Sequence, residues 1–201
     1  MIAIVDYGMG NLRSVTNAFR MLGADVIVTR KKEEIKSSDA IVLPGVGAFG
    51  KCIENLKNFE LFDLIKELLM NDKIYLGICL GMQTLFESSE ETPGVEGMGI
   101  IKGSVRKFRG EVKVPHMGWN SIEIQRGTAD IFKDINNGEF FYFVHSYYCK
   151  PEEDLTATKT PYGFEFTSSI QKNHLFACQF HPEKSQRSGL RVIRNFIDMC
   201  S

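Results

Sequence analysis

Residues 74–86 read Ile74-Tyr75-Leu76-Gly77-Ile78-Cys79-Leu80-Gly81-Met82-Gln83-Thr84-Leu85-Phe86. The run from Ile74 to Ile78 is short and continuously apolar, the pattern of a strand covered on both faces. A helical pattern through Gln83, Leu85 and Phe86 follows it. At their junction stands Gly77-x-Cys79-x-Gly81, the cysteine counterpart of the G-x-S-x-G turn on which hydrolases carry a nucleophile. Such a turn holds its central residue in a strained conformation, so its neighbours must lack side chains, and a helix N-terminus behind the residue favours a thiolate.

The residues on the N-terminal side repeat the same alternation. Ile2 to Val5 form a buried strand that ends at Asp6 and the turn-prone Gly8-Met9-Gly10-Asn11. Leu12, Val15, Phe19 and Leu22 recur at helical spacing, with Gly23 as C-terminal cap. Val26 to Val28 give a second strand, and Ala40 to Leu43 a third that is ended by Pro44-Gly45. Phe59 to Met70 carries Leu61, Leu64, Ile65, Leu68 and Leu69 on one helical face. Short apolar strands alternating with amphipathic helices predict right-handed βαβ units, hence an α/β fold with a mostly parallel central sheet flanked by helices.

The C-terminal half changes character. Phe140 to Val144, Thr156 to Thr160, Phe164 to Ile170 and Leu175 to Phe180 are strand-like with little helix between them. They predict antiparallel strands that extend the sheet or form a small second one. Ser185 and Ser188 precede Leu190, Ile193, Phe196 and Ile197, a final amphipathic helix. No internal repeat, low-complexity tract or linker interrupts the chain, which predicts one domain over residues 1–201.

Composition narrows the function. The 201 residues are 43% hydrophobic and 24% charged, enough for one substantial core. Lys plus Arg is 24 against 25 for Asp plus Glu, a formal charge of -1, which argues against a nucleic-acid partner bound through phosphate contacts. No apolar run reaches the roughly 18 to 20 residues of a membrane span, and the N-terminus turns acidic at Asp6 before a signal-peptide core forms; the expected location is cytoplasmic. Five cysteines, widely spaced and without C-x-x-C, fit neither a disulfide framework nor a zinc ribbon. Cys52, Cys149, Cys178 and Cys200 lack flanking glycines and read as core residues.

A cysteine nucleophile needs a base, and the base needs a group that fixes its tautomer. Of the four histidines (His116, His145, His174, His181), only His181 has a carboxylate two residues on, across a proline that excludes a helix interior. In an extended segment, residues two apart point the same way, so the His181 imidazole and the Glu183 carboxylate can lie side by side. Metal-ligand spacings such as H-x-x-x-H and H-E-x-x-H are absent. Gly45-Val46-Gly47-Ala48-Phe49-Gly50 matches G-x-G-x-x-G, but it follows the third strand, not the first. The acids about 20 residues later, Asp63 and Glu67, fall inside an amphipathic helix, so the dinucleotide reading is rejected. Glycine-rich backbone can instead offer N–H groups to an oxyanion in acyl transfer.

Pro44-Gly45-Val46-Gly47, Gly77-Ile78-Cys79-Leu80-Gly81-Met82-Gln83 and His181-Pro182-Glu183-Lys184-Ser185 together resemble the class I (triad) glutamine amidotransferases. Within that family the chain is most similar to the glutaminase subunits of imidazole glycerol phosphate synthase. The cues are Asp6-Tyr7-Gly8-Met9-Gly10-Asn11-Leu12, Val114-Pro115-His116-Met117-Gly118-Trp119-Asn120 and Val144-His145-Ser146-Tyr147. The resemblance implies Cys79 as nucleophile, His181 as base and then acid, and Glu183 as its orienting group. It also implies an oxyanion hole from backbone at Gly45, Val46, Gly47 and Leu80, with Gln83, His145, Ser146 and Tyr147 near the bound L-glutamine. No cofactor is implied.

The same resemblance implies a heterodimer. Ammonia made from glutamine passes to a HisF-type (β/α)8-barrel cyclase on another polypeptide, which makes imidazole glycerol phosphate and aminoimidazole carboxamide ribotide in histidine biosynthesis. Met9, Gly10, Asn11, Met117, Trp119 and Asn120 are the candidate partner-facing residues, Trp119 being an aromatic in a loop-like stretch. Two other readings share these motifs in whole or in part. One is a paralogous glutaminase that supplies ammonia for sugar amidation. The other is a non-catalytic α/β domain whose elbow cysteine senses redox state.

Overall fold

The computed structural model describes residues 1–125 and 130–200. The N-terminal half runs β1 (Ile2–Val5), α1 (Leu12–Met21), β2 (Val26–Thr29), α2 (Lys32–Ser37), β3 (Ala40–Gly45), α3 (Phe49–Asn58), α4 (Phe62–Met70), β4 (Ile74–Cys79) and α5 (Leu80–Gln83). Then come β5 (Phe86–Ser89), β6 (Ile101–Lys107), β7 (His116–Ser121), β8 (Glu123–Ile124), β9 (Phe140–His145), β10 (Tyr147–Pro151), β11 (Thr156–Pro161), β12 (Glu165–Lys172), β13 (Leu175–Cys178) and α6 (Gln186–Met199).

One large sheet has the order β2-β1-β3-β4-β13-β12-β10-β6-β5, with β11 paired to β12 and β8 to β11. The block from β2 to β13 is parallel, which puts the C-terminal ends of β3, β4 and β13 side by side. Period-2 alternation explains why these strands read as unbroken apolar runs. Ala3, Val5, Ile41, Leu43 and Ala177 face α3 and α4 through Cys52, Ile53, Leu56 and Ile65. Ile2, Ile4, Val42, Leu76 and Phe176 face α1 and α6 through Val15, Phe19, Val192, Ile193 and Phe196.

Several expectations are corrected. Leu175–Cys178 pairs parallel with β4, and β5 pairs parallel with β6, so the second half is not uniformly antiparallel. The helix of the elbow is a single turn that stops at Gln83, because buried Phe86 already belongs to β5. The third strand runs through Pro44 and Gly45, whose register partners are Ile78 and Cys79. The segment read as a loop around Trp119 is β7, paired residue for residue with β9 in a separate two-stranded sheet. Ser185 stands at the N-cap of α6 but makes no capping hydrogen bond, and Ser188 lies inside that helix.

Candidate active site

β4 delivers Cys79 at φ 55, ψ -102, a left-handed backbone that a residue with a Cβ adopts at a cost of order 1–3 kcal/mol. The surroundings hold it there. A Cβ on Gly81 would stand 1.9 Å from the Leu43 carbonyl oxygen, and one on Gly77 would stand 2.7 Å from the Gly81 oxygen. Only glycine on both sides lets the turn nest between β3 and β4. The Tyr75 hydroxyl then donates to the Gly81 carbonyl at 2.8 Å, closing the elbow.

His181 arrives just beyond β13, and its backbone N–H donates to the Tyr142 carbonyl. Residues 182–184 form a 3-10 turn, not the extended segment expected, and this turn folds the Glu183 carboxylate back so that its Oε1 lies 2.9 Å from His181 Nδ1. Both side chains are almost fully buried. The Ser185 hydroxyl, free of capping duty, donates to the His181 carbonyl at 2.7 Å and accepts the Tyr142 N–H at 2.9 Å. Burial opposes charge on His181, but the close Cys79 sulfur and the hydrogen-bonded Glu183 carboxylate outweigh it and push the imidazole up to about 10. Cys79 is close enough to favour the imidazolium, yet no aligned hydrogen bond joins them. His181 Nε2 is left buried and unpartnered.

A cavity of about 340 Å³ opens over Cys79, lined as well by Val46, Gly47, Leu80, Gln83, Glu91, Pro115, Val144, His145, Ser146 and Tyr147. It therefore gathers every expected substrate-side residue except Gly45, which lies behind it. A Cβ there would meet Leu80 Cβ at 2.5 Å and the Tyr7 hydroxyl at 2.6 Å. His145 borders the cavity but offers it no ring nitrogen. Its Nδ1 is 2.7 Å from the Tyr147 carbonyl and its Nε2 is 2.9 Å from His116 Nδ1.

Two residues escaped the sequence reading. Gln179 donates to Cys79 Sγ at 3.4 Å, and Glu91 accepts the Phe49 N–H at 2.7 Å. Thr92 takes the Gly50 N–H at 3.2 Å, so the helix start that a pyrophosphate would need is occupied by side chains. This agrees with the rejection of a dinucleotide site. Among the described residues no group of three or more His, Cys, Asp or Glu is placed to hold a metal ion. Burial pushes the Cys52 thiol up to about 12 and those of Cys149 and Cys178 well above the ordinary range, consistent with core roles.

The partner-facing candidates divide. Met117 and Trp119 are exposed on the outer side of β7, beside exposed Phe140. Met9 packs partly buried against the core, and a Cβ on Gly10 would stand 3.3 Å from the Pro44 oxygen. Asn11 Oδ1 accepts the Ser14 N–H at the start of α1, and Asn120 donates to the Pro161 carbonyl.

The family model for class-I glutamine amidotransferases matches residues 3–200. The chain belongs to that family. Among curated relatives, this amidotransferase is 50% identical over 199 residues to the imidazole glycerol phosphate synthase subunit HisH of Methanocaldococcus jannaschii, covering 99% of this chain and 100% of that one. It is 47% identical to the HisH subunit of Methanothermobacter thermautotrophicus, covering 99% and 98%. A solved glutamine amidotransferase structure superposes with TM-score 0.77 at 17% identity, covering 100% of this chain and 99% of that one, and shares the fold. No helix among the described residues of the amidotransferase is long and apolar enough to cross a membrane.

Proposed function

We propose that this amidotransferase is the glutaminase subunit of an imidazole glycerol phosphate synthase. It hydrolyses L-glutamine to glutamate and ammonia and passes the ammonia to a HisF-type (β/α)8-barrel cyclase in histidine biosynthesis. Near-full-length identity to HisH subunits supports the pathway. The observation that carries the chemistry is Cys79 on the cavity wall with the buried, hydrogen-bonded His181–Glu183 pair next to it.

Glu183 accepts the Nδ1 proton of His181, which turns Nε2 toward the sulfur and lets it take the thiol proton. Cys79 Sγ attacks the carboxamide carbon of glutamine, and the carbonyl oxygen becomes an oxyanion held by backbone N–H groups of the Gly45–Gly47 run and of Leu80. The imidazolium, stabilised by its buried carboxylate, then protonates the amide nitrogen. The C–N bond breaks, ammonia leaves and a glutamyl thioester remains. Water adds to the thioester with His181 again as base, and glutamate departs. Gln83, Ser146 and Tyr147 surround the substrate's amino-acid end, while His145 frames it through the Tyr147 carbonyl. The β7–β9 face with Met117, Trp119 and Phe140 is the docking surface.

Ammonia is mostly protonated and non-nucleophilic at neutral pH, but abundant ammonium salt supplies enough of the free base for the reconstituted pair to bypass this subunit. Cys79→Ser is expected to reduce glutamine-dependent synthesis by at least about a thousandfold and to leave synthesis from ammonium salts largely intact. Parallel loss of both activities would overturn the division of labour.

A further inference from the structure

A continuous series of hydrogen bonds joins β7 to the nucleophile. Asn120 Nδ2 lies 3.2 Å from His116 Nε2, and His116 Nδ1 lies 2.9 Å from His145 Nε2. His145 Nδ1 lies 2.7 Å from the Tyr147 carbonyl. Gln83 Nε2 donates to that same carbonyl at 3.3 Å and to Gln179 Oε1 at 3.1 Å, and Gln179 Nε2 donates to Cys79 Sγ at 3.4 Å.

The protons in this series have one consistent arrangement. A carbonyl only accepts, so His145 carries its proton on Nδ1 and accepts at Nε2. His116 must then donate from Nδ1 and accept at Nε2, where the Asn120 amide supplies the proton. At the other end both bonds from Gln83 use its amide nitrogen, so Gln179 presents its oxygen to Gln83 and its N–H to the sulfur. Reversing the Gln179 amide would set its carbonyl oxygen against Cys79 and two amide nitrogens against each other. Gln83, His116, His145 and Gln179 are all buried, which removes water as a substitute partner. Burial holds both imidazoles neutral, lowering His116 to about 4 and His145 to about 3.

We infer that Gln179 is a positioning residue for the nucleophile, its amide N–H holding the Cys79 sulfur as the thiolate forms, and that His116 and His145 hold in place, from β7, the Tyr147 carbonyl that sets the sense of that amide through Gln83. The inference rests on Cys79 being the nucleophile proposed above. An N–H bond to sulfur favours the thiolate over the thiol. The sheet supplies the contact, since β13 pairs in parallel with β4 and Cys178 stands opposite Ile78, bringing the next residue of each strand together. Met117 and Trp119 occupy the outer side of the strand whose inner side bears His116 and Asn120.

The test is the pH dependence of Cys79 alkylation by iodoacetamide in the full chain, read on the Cys79 peptide by mass spectrometry. Gln179→Met is expected to raise the midpoint by about one pH unit. Gln179→Glu keeps an acceptor for Gln83 but sets a carboxylate beside the sulfur, and should raise it further. His116→Phe preserves ring stacking on Phe143 and Tyr162 and should shift the midpoint in the same direction. Combined with Gln179→Met, it should add less than its separate effect. Co-elution of each variant with the barrel subunit on gel filtration reports that it folds and docks. Wild-type profiles in both Gln179 variants would overturn the role of Gln179, and strict additivity would overturn the link to His116. A glutamine-mimicking diazoketone separates the two levels. If it fails to label Cys79 in the wild-type pair, the nucleophile itself is wrong; labelling with unmoved profiles removes Gln179 alone.

Discussion

Among the described residues Glu183 makes one ion pair, with His181, and His181 depends on it. With the carboxylate made neutral in Glu183→Gln, the imidazole loses a charged acceptor 2.9 Å away, and burial, which favours its neutral form, gains weight. The His181 titration is therefore expected to fall from about 10 toward the ordinary histidine range, and glutaminase turnover to drop by about 10²–10⁴-fold. Nitrogen-detected imidazole NMR and steady-state kinetics check the two halves. His181 and Glu183 were legible because proline restricts what can lie between them, and Cys79 because only glycine fits beside it. Gln179 was not legible. A glutamine before Phe180 has no spacing signal, and its contact exists only because β13 settles against β4. His145 lines the cavity over Cys79, but the direction of its ring nitrogens depends on His116, 29 residues earlier.

At the level of elements, the elbow is a wedge between two strands. Gly81→Ala would drive a methyl group into the Leu43 carbonyl and separate β3 from β4 where the site is built. The expected loss is roughly 3 kcal/mol or more in urea unfolding. Gly94→Ala is the comparison: its Cβ would meet nothing within 4 Å, so only the left-handed backbone opposes it, at about 1–2 kcal/mol. Strands β1, β3 and β4 could be read from sequence because burial on both faces leaves an unbroken apolar run, whereas β2 lies at the sheet edge with Val28 exposed. α2 could not, since Ile35 is its one buried residue and a single position makes no period. α3 was hidden for another reason. It begins inside the glycine-rich run, and its first N–H groups are satisfied by Glu91 and Thr92, 42 residues away in each case. β7 escaped because its inward positions are His116, Gly118 and Asn120, which do not look like a buried face until the hydrogen bonds are drawn.

Across the whole molecule the histidines act on stability with opposite signs. His116 and His145 titrate lower in the folded chain than the ordinary 6.5, at about 4 and about 3. As pH falls below about 6.5 the unfolded chain takes up protons first, so their contribution, full above that pH, is progressively lost. His181 titrates higher when folded, at about 10; its contribution is full below about 6.5 and is lost as pH rises toward 10. Urea midpoints measured from pH 4.5 to 10 are therefore expected to peak near pH 6.5. His116→Phe should flatten the acid side and leave the alkaline side in place. The glycine run over the site is also pinned at both abutments. Gly45 is wedged between Leu80 and Tyr7, and the start of α3 is tied to Glu91 and Thr92. Only the short span from Val46 to Ala48 lies between these anchors. Any motion that reshapes the oxyanion backbone is thus a swivel of single peptide planes, not the swing of a door. It can be driven by forces as small as one redirected hydrogen bond while the rest of the sheet stays still.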